Sequence, residues 1–402
     1  HPDLYEILAH TEGVVVFHEQ VIQIIATMTG VSLATADEKR RSLGDRAGQQ
    51  EVCDWFFPAA TAKGYELPII QEIWDVLRAF ASFGFCKAHA AAFALPTYQS
   101  AWLKTHYPAA FLAGVLTHDP GMYPKRLIVD EARQMGITIA PIDVNASDSV
   151  YRVEDHGNAI RIALATVSGI SDGEVQSIIA GRPYIDLNDF VRRSGCSTPV
   201  TESLILTGGF DSLHADVNRR DLLLHFSDLQ KSPSAAVSGA QMNLGFEPPA
   251  LISSGLPAMT ASESVKYEID RLGIDMSRHL IEFYGEFLNA IGAVRSSDLL
   301  KQRSQSSVLV AGIKVAMQTP PVRSGKRVIF LTLDDGYGCS DSTFFTDVQS
   351  EYANVLYSTS LLLVRGVTRR TGARGISIRA TGAWDLRAAY ESWSAKQSTL
   401  AI

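Results

Sequence analysis

The sequence lacks several features that would assign it to a simple class. Its four cysteines, Cys53, Cys86, Cys196 and Cys339, lie far apart and form no C-x-x-C pair. This spacing argues against a zinc ribbon or a disulfide framework and fits a reducing compartment, so we expect a cytoplasmic protein. No uninterrupted apolar run approaches the length that spans a membrane, and we expect no membrane partner.

An excess of positive charge is missing as well. The 402 residues carry 36 Lys and Arg against 43 Asp and Glu, a formal net charge of -7. This balance argues against a DNA-binding protein of histone type, although a binding groove needs only local positive charge. The length predicts two to four domains. Because the chain opens with His1-Pro2 rather than Met, we expect the C-terminal part of a longer protein, although a processed protein would look the same.

Apolar periodicity divides the chain into helical and β-rich segments. Three- and four-residue spacing within 21–28 and 69–77 predicts helices, Asp155–Asn158 resembles a hairpin turn, and 307–383 alternates like a small barrel. We therefore predict a multidomain α+β protein. Its expected segments are a helical region at 1–145, a smaller module at 146–226, a linker at 227–261, a helical connector at 262–305, a β-barrel at 306–386 and a tail at 387–402.

Two basic clusters stand out in the first quarter of the chain. Arg40 and Arg41 can clamp a triphosphate through forked, charge-assisted hydrogen bonds. The alternative is a solvated helix face on which Asp37 and Glu38 neutralise the arginines. The second cluster places Lys87 and His89 beside glycine and aromatic residues, which suits phosphate binding next to a base, but a buried structural histidine is the common alternative.

A glycine turn lies in the 146–226 module. Gly169-Ile170-Ser171-Asp172-Gly173 matches the G-x-S-x-G pattern of hydrolases, but the sequence shows no parallel-strand series and no convincing His and acid partners. A better interpretation is the hairpin of a helix-hairpin-helix, in which backbone N–H groups at Gly169, Ile170 and Ser171 hold a DNA phosphate. An ordinary glycine turn is the alternative.

Catalytic and metal-binding residues are not expected in this chain. Asp143, at the end of a strand-like segment, is a single carboxylate without the partner that bridging metals need in phosphoryl transfer. His18-Glu19-Gln20-Val21-Ile22 is not a zincin motif, because Ile22 occupies the position of the second histidine.

Three segments together resemble the fingers of the bacterial DNA polymerase III alpha subunit, a C-family polymerase. They are Phe83–Phe111, Val16–Gln20 and Ala36–Gly44. The resemblance implies helical fingers, a tandem helix-hairpin-helix module and a C-terminal OB-fold. It makes Arg40, Arg41, Lys87 and His89 candidates for nucleotide binding, and it makes the turn at Gly208 and Gly209 the second DNA-binding hairpin.

The same resemblance implies further contacts. Gln241, Leu244 and Phe246 resemble the short peptide that docks a polymerase on the sliding clamp, although Gly245 interrupts the usual Leu-Phe pair and a chance match is the alternative. The barrel would bind single-stranded DNA, with Arg365 and Arg369 as the main candidates. Others are Arg370, Arg374, Arg379, Phe330, Phe344 and Phe345.

The implied function is part of a DNA-directed DNA polymerase, a nucleotidyltransferase of DNA replication or translesion repair, with the shorter error-prone form as one alternative. Its Mg²⁺ ions would be held by palm aspartates that this sequence does not show, so we expect the chain alone to be inactive. Expected partners are primer-template and single-stranded DNA, dNTP, the sliding clamp and other polymerase subunits. The alternatives are a stand-alone, non-catalytic DNA-binding or clamp-binding accessory and a hydrolase using Ser171.

Overall fold

The structure is a computed structural model that describes residues 1–80, 84–119, 121, 123–231, 250–320 and 327–400, with side chains to 397. The chain divides into two compact units, His1–Trp102 and Leu103–Ile402. Within the described ranges, no helix combines the length and the apolar character that crossing a membrane requires.

The first unit is helical. Its core forms where apolar residues at helical spacing face one another, such as Ile24, Ile25 and Met28 with Phe56 and Leu77. Its helices are α1 Tyr5–Leu8, α2 His18–Thr29, α3 Leu33–Ser42, α4 Arg46–Ala62, α5 Leu67–Phe80 and most of α6 Lys87–His106.

Helix α6 differs from the other long helices because none of its residues is buried. Its hydrophobic side chains do not form a single apolar stripe, and alanines occupy much of its first half. Several large apolar side chains therefore face outward, including Phe93, Leu95 and Tyr98. An exposed surface of this kind usually marks an interaction site.

The second unit begins with a helical part that surrounds a small sheet. Its hydrophobic core extends from Ala109 to Met276, so the boundary predicted at 145/146 runs through one continuous core. The helices are α7 Pro108–His118, α8 Lys125–Gln134, α9 Asp172–Ala180, α10 Leu187–Ser194, α11 Thr198–Leu206, α12 Arg219–Lys231 and α13 Ala261–Leu272.

The small sheet has three strands, β1 Thr138–Ala140, β2 Arg152–Glu154 and β3 Ala159–Arg161. β3 lies in the middle, parallel to β1 and antiparallel to β2. The turn between β2 and β3 lies at Asp155–Asn158, where the sequence predicts it.

A closed barrel follows α14 Gly285–Ala290 and α15 Ser296–Leu299. Its strand order is β4-β5-β6-β8-β7, which is the arrangement of an OB-fold. Inward residues such as Val310, Leu331, Phe344 and Val364 fill the barrel. The elements are β4 Ser307–Gln318, β5 Ile329–Asp334, β6 Cys339–Phe344, α16 Thr346–Ser358, β7 Leu361–Arg370, β8 Ile376–Asp385 and α17 Leu386–Leu400. The predicted multidomain α+β class is confirmed.

Two predicted segments are more ordered than the sequence indicates. α12 extends to Lys231, inside the predicted linker, because Phe226 and Leu229 share a face and pack into the core. The predicted tail is the helix α17, since Leu386 is buried and Trp393 packs on the same cluster as Phe287. Both segments are helical because their apolar faces pack against other parts of the fold, which the local sequence does not show.

Candidate nucleic-acid interface

Arg40 and Arg41 lie in the last turn of α3, and both bind one carboxylate. Asp37 accepts a hydrogen bond from Arg40 Nε at 2.9 Å, and its other oxygen lies 2.7 Å from Arg41 Nη2. The hydrogen bond from Arg40 lowers the pKa of Asp37, which keeps the carboxylate charged. Arg40 is 22% exposed and Arg41 is 73% exposed. Arg41 is therefore the better placed of the two to exchange its partner for a phosphate.

Lys87 begins α6, and its backbone is fixed by α2. Both carboxylate oxygens of Glu19 accept from the Lys87 amide at 2.9 Å, so Glu19 caps the start of α6. Burial alone would raise the pKa of Glu19, but these backbone hydrogen bonds lower it overall. The Lys87 ammonium lies 5.8 Å from the centre of the Phe17 ring. The Lys87 side chain is exposed, and a cation–π contact with the Phe17 ring orients its ammonium group.

His89 is exposed on α6, so it is not the buried structural histidine that the sequence allows. Its ring centre lies 4.6 Å from that of Phe93. Tyr98 is also exposed, but it follows His89 by nine residues and therefore lies on the opposite side of the helix. The helix thus presents an imidazole and aromatic faces on sides that have no core function.

The two basic clusters are connected through α2. α3 packs on α2, while Phe17 and Glu19 at the start of α2 contact the start of α6. Within the described residues, no hydrogen bond or ion pair joins Arg40 or Arg41 to Lys87 or His89. The structure therefore places both clusters around one helix without direct contact between them.

The first glycine turn is exposed and leads into α9. Gly169 has a left-handed backbone with φ +81°, and nothing lies within 4 Å of where its Cβ would be. Two of the three amides predicted to hold a phosphate are already used, because Ile170 donates to Val167 O at 3.2 Å and Ser171 donates to Glu174 Oε2 at 2.9 Å. The prediction is therefore corrected for Ile170 and Ser171. The amides of Asp172 and Gly173, in the first turn of α9, have no preceding helical acceptor. These amides can meet a phosphate, although the carboxylate of Asp172 opposes it.

Ser171 is a helix cap and not a nucleophile. Its hydroxyl donates to Glu174 Oε2 at 2.7 Å and accepts from the Glu174 amide at 3.3 Å, which completes a capping box. Glu174 also accepts from the amide and hydroxyl of Ser197. The backbone hydrogen bond from Ser197 is the largest of several that lower the pKa of Glu174 to about 2. The hydrolase alternative has no support here.

The second glycine turn does not have the predicted free amides. Gly208 donates to Ile205 O at 3.2 Å and Gly209 donates to Leu204 O at 2.7 Å, and both residues are buried. Arg219 covers Gly208, because a Cβ there would lie 2.3 Å from the guanidinium. The structure therefore corrects the prediction that Gly208 and Gly209 bind a phosphate directly, because their backbone N–H groups already donate to carbonyl oxygens of α11.

The barrel carries an aromatic and basic row on its outer face. Phe330 of β5 pairs with Thr343 of β6, which pairs with Arg379 of β8, so the three side chains share one face. Phe330 is 45% exposed. Phe345 continues the row, with the Arg379 guanidinium 5.5 Å from its ring centre. Arg379 also lies 3.2 Å from a carboxylate oxygen of Asp347.

Arg365 and Arg369 are exposed on β7, four residues apart and thus on the same side of the strand. The Arg365 guanidinium stacks on Trp384 with 5.3 Å to the ring centre, and Tyr352 of α16 meets the same ring edge-on. Sequence analysis missed Trp384 and Tyr352, because only the fold brings them beside Arg365.

The remaining barrel candidates divide between core and surface. Phe344 is 0% exposed and belongs to the barrel core, so its selection as a DNA contact is wrong. Arg370 donates to Leu300 O, while Arg374 lies in the exposed turn between β7 and β8. Gln241, Leu244 and Phe246 lie outside the residues that the structure describes.

A buried cluster of charged residues was also missed by sequence analysis. Asp130 of α8, His279 and Asp334 of β5 come together inside the second unit, within 4.8 Å of one another. They derive from three distant segments, so no local motif indicates them. The cluster is enclosed and does not belong to the exposed interface.

Comparison with known proteins identifies two segments. Residues 1–64 match the family described as "Bacterial DNA polymerase III alpha subunit finger domain", and residues 136–222 match the family "Helix-hairpin-helix motif".

Similarity to curated proteins extends along nearly the whole chain. The "Error-prone DNA polymerase" of Symbiobacterium thermophilum is 32% identical over 94% of this chain and 39% of its own length. The "DNA polymerase III subunit alpha" of Pasteurella multocida is 32% identical over 91% of this chain and 33% of its own length. That of Vibrio cholerae is 30% identical over 98% and 36%. The chain therefore spans between a third and two fifths of the length of these relatives.

Proposed function

The chain belongs to the family of bacterial DNA polymerase III alpha subunits and error-prone DNA polymerases, and we propose that it binds DNA and positions the incoming nucleotide for a DNA-directed DNA polymerase. Its relatives are polymerases of replication and of error-prone synthesis, so the role lies in one of these processes. This relationship does not favour the alternative of a stand-alone accessory protein.

One observation carries the proposal, namely the row formed by Phe330, Arg379 and Phe345 on the outside of the barrel. Phe330 is exposed although most residues of β5 are buried, so its large aromatic side chain contributes little to the core. Next to a guanidinium, such a ring offers a base-stacking surface beside a phosphate-binding charge. Single-stranded template DNA is the ligand that this chemistry fits best.

Other groups outside the barrel would add contacts to duplex DNA, to the incoming nucleotide and to partner proteins. The amides at Gly169 and at the start of α9 would hold duplex backbone without reading its sequence. Arg41 and Lys87 would contact the triphosphate of a dNTP, with Arg40 and His89 beside them. Gln241, Leu244 and Phe246 remain our prediction for sliding-clamp attachment, together with contacts to other polymerase subunits.

Nucleotidyl transfer itself requires Mg²⁺ held by open, substrate-accessible carboxylates. In the described ranges the cluster that can surround a cation is Asp130, His279 and Asp334, which is buried and which a nucleotide cannot reach. The residues present do not fit a catalytic metal pair, and we assign no chemical step to them. We propose that this chain alone does not extend a primer.

Single-strand binding tests the proposal. Fluorescence anisotropy with a labelled oligo-dT should show binding that weakens with salt. Because a stacked base contributes about 1–3 kcal/mol, Phe330→Ala should weaken binding about tenfold.

The matched control is Tyr357→Ala, which removes another exposed aromatic ring from the same module, on α16. It should leave the affinity unchanged. Equal affinities for wild type, Phe330→Ala and Tyr357→Ala would contradict the assignment of this face to DNA.

A further inference from the structure

The buried cluster missed by sequence analysis joins three parts of the second unit. Asp130 belongs to α8, His279 lies in the segment that follows α13, and Asp334 is the last residue of β5 in the barrel. His279 Nε2 lies 3.5 Å from Asp130 Oδ2 and 3.5 Å from Asp334 Oδ2. The cluster therefore links the barrel to the helical part of the same unit.

These side chains are almost completely enclosed, and the atoms that face one another are not satisfied. The three side chains are between 0% and 3% exposed. At the distances observed, Asp130 Oδ2, Asp334 Oδ2 and His279 Nε2 have no hydrogen-bond partner in the described structure. Unpaired polar atoms of this kind destabilise a protein interior, so we expect a proton or a metal cation between these three atoms.

The charges around the cluster do not balance. Asp275 is a third buried carboxylate, while Arg133 supplies the nearby guanidinium, 2.6 Å from Asp130 Oδ1. With a neutral His279, three carboxylates and one guanidinium leave two negative charges uncompensated. Asp335 is bound by Ser296, and Cys339 stays a neutral thiol because burial raises its pKa to about 12.

A metal ion is one way to neutralise the site, since the three atoms lie close enough to surround one. A cation at Nε2 would require the imidazole proton on Nδ1. The Ile281 amide, however, donates to Nδ1 at 3.2 Å, so Nδ1 has no proton and Nε2 carries it. The hydrogen bonding therefore favours a proton over a metal ion.

The surroundings also determine which group takes up the proton. Burial raises the pKa of Asp130 to about 7, against the opposing charges of His279 and Arg133. Burial alone would raise the pKa of Asp334, but the contact with His279 and the Gly336 amide lower it overall. Burial alone would lower the pKa of His279, but Asp334 and the neighbouring charges raise it. Because the Ile281 amide occupies Nδ1, we place the proton on Asp130 and not on a doubly protonated His279.

We propose that Asp130, His279 and Asp334 form a proton-dependent link between barrel and helical part, in which one exchangeable proton on Asp130 removes one of the two uncompensated negative charges. A raised pKa means that folding favours the protonated carboxyl. The stabilisation is complete below the ordinary value of 3.8 and is lost as the pH rises through about 7. Alkaline conditions should therefore loosen the barrel from α8 and the 275–279 segment.

Hydrogen exchange of the whole chain tests this link. Protection factors of β5 amides, corrected for the intrinsic exchange rate, would be measured between about pH 4 and about pH 8. In the wild type, protection should fall by up to about tenfold per pH unit between the ordinary pKa of 3.8 and about 7, and should level off at higher pH. Asp130→Asn keeps an oxygen for Arg133 and resembles the protonated acid, so its protection should not change with pH.

The matched control is Asp298→Asn, which neutralises an exposed carboxylate paired with Lys301 and should follow the wild type. A flat wild-type profile would overturn the proposal even if Asp130→Asn does not fold. An undiminished pH dependence in a folded Asp130→Asn would overturn it too. So would Zn²⁺ or Mg²⁺ retained in a native mass spectrum and required for protection, because a cation would then occupy the site.

Discussion

The two glycine turns of the helical module differ in what their backbone amides do. At the first turn, Gly169 is exposed and the amides of Asp172 and Gly173 have no preceding helical acceptor. At the second, Gly208 and Gly209 are buried, and their amides bind carbonyl oxygens of α11. A glycine turn can therefore bind phosphate only where the fold leaves backbone donors free.

The same difference separates two adjacent aromatic residues of the barrel. Phe344 points inward and fills the core, whereas Phe345 points outward and lies against Arg379. Alternation along a strand places neighbours on opposite faces, so one residue stabilises the barrel and the next is available to a ligand.

The largest effect should come from adding a side chain at the second turn. Gly208→Ala places a Cβ in a left-handed conformation, φ +88°, and 2.3 Å from the Arg219 guanidinium. Arg219 cannot move freely, because it binds Asp211 and Leu206 O. We expect a loss of about 3 kcal/mol in the free energy of unfolding, measured by urea denaturation.

Gly169→Ala is the matched control for that substitution. Its φ of +81° is similar, but its Cβ would meet no atom within 4 Å. We expect a cost of about 1 kcal/mol from backbone strain alone. Equal losses in the free energy of unfolding for Gly208→Ala and Gly169→Ala would contradict the difference between a buried, structural turn and an exposed one.

A smaller effect is expected from the residue that shapes the first turn. Glu174→Ala removes the acceptor of four hydrogen bonds from Ser171 and Ser197. Because the side chain is partly solvated, we expect a loss of about 1–2 kcal/mol and weaker duplex binding.

The pH dependence of this contact has a defined sign. The lowered pKa of Glu174, about 2, means that its stabilisation is complete above the ordinary value of 4.5 and is lost as the pH falls towards 2. Acid titration of the Glu174→Ala variant beside the wild type measures this. The difference in stability between the two should narrow below about pH 4 and stay constant above about pH 5; a constant difference throughout would contradict the account.

The smallest effect concerns the arginine pair of α3. Like the amides of the second turn, Arg40 already has a partner and is mostly covered, whereas Arg41 is largely exposed. Arg41→Gln should weaken dNTP binding several-fold and change stability by less than about 1 kcal/mol. Titration calorimetry with a dNTP measures the affinity.

Arg78→Gln is the control, because Arg78 on α5 forms a similar pair with Asp75. It should leave dNTP affinity unchanged. If Arg41→Gln binds dNTP like the wild type, α3 has only a structural role.

The sequence predicts the features that depend on local patterns. Alternation between 307 and 383 predicts the barrel, and the Asp155–Asn158 turn is where β2 meets β3. Long-range packing decides the rest. It decides whether the Gly208 amide already has an acceptor. It also decides that Phe344 is buried while the adjacent Phe345 is exposed.

Contacts between distant segments leave no local signal at all. Glu19 caps a helix that begins at Lys87, and Trp384 receives Arg365 from the neighbouring strand. The cluster of Asp130, His279 and Asp334 joins residues more than 200 positions apart. Single carboxylates and histidines are common in any sequence, so only the fold distinguishes these.

We propose that single-stranded DNA binds the outer face of the barrel at Phe330, Arg379 and Phe345. Photo-crosslinking with an oligonucleotide that carries 5-iododeoxyuridine, followed by peptide mapping, locates the bound DNA on the chain. We expect crosslinks in residues 327–345 that Phe330→Ala removes or strongly reduces. Crosslinks confined to other parts of the chain, with none in 327–345, would contradict it.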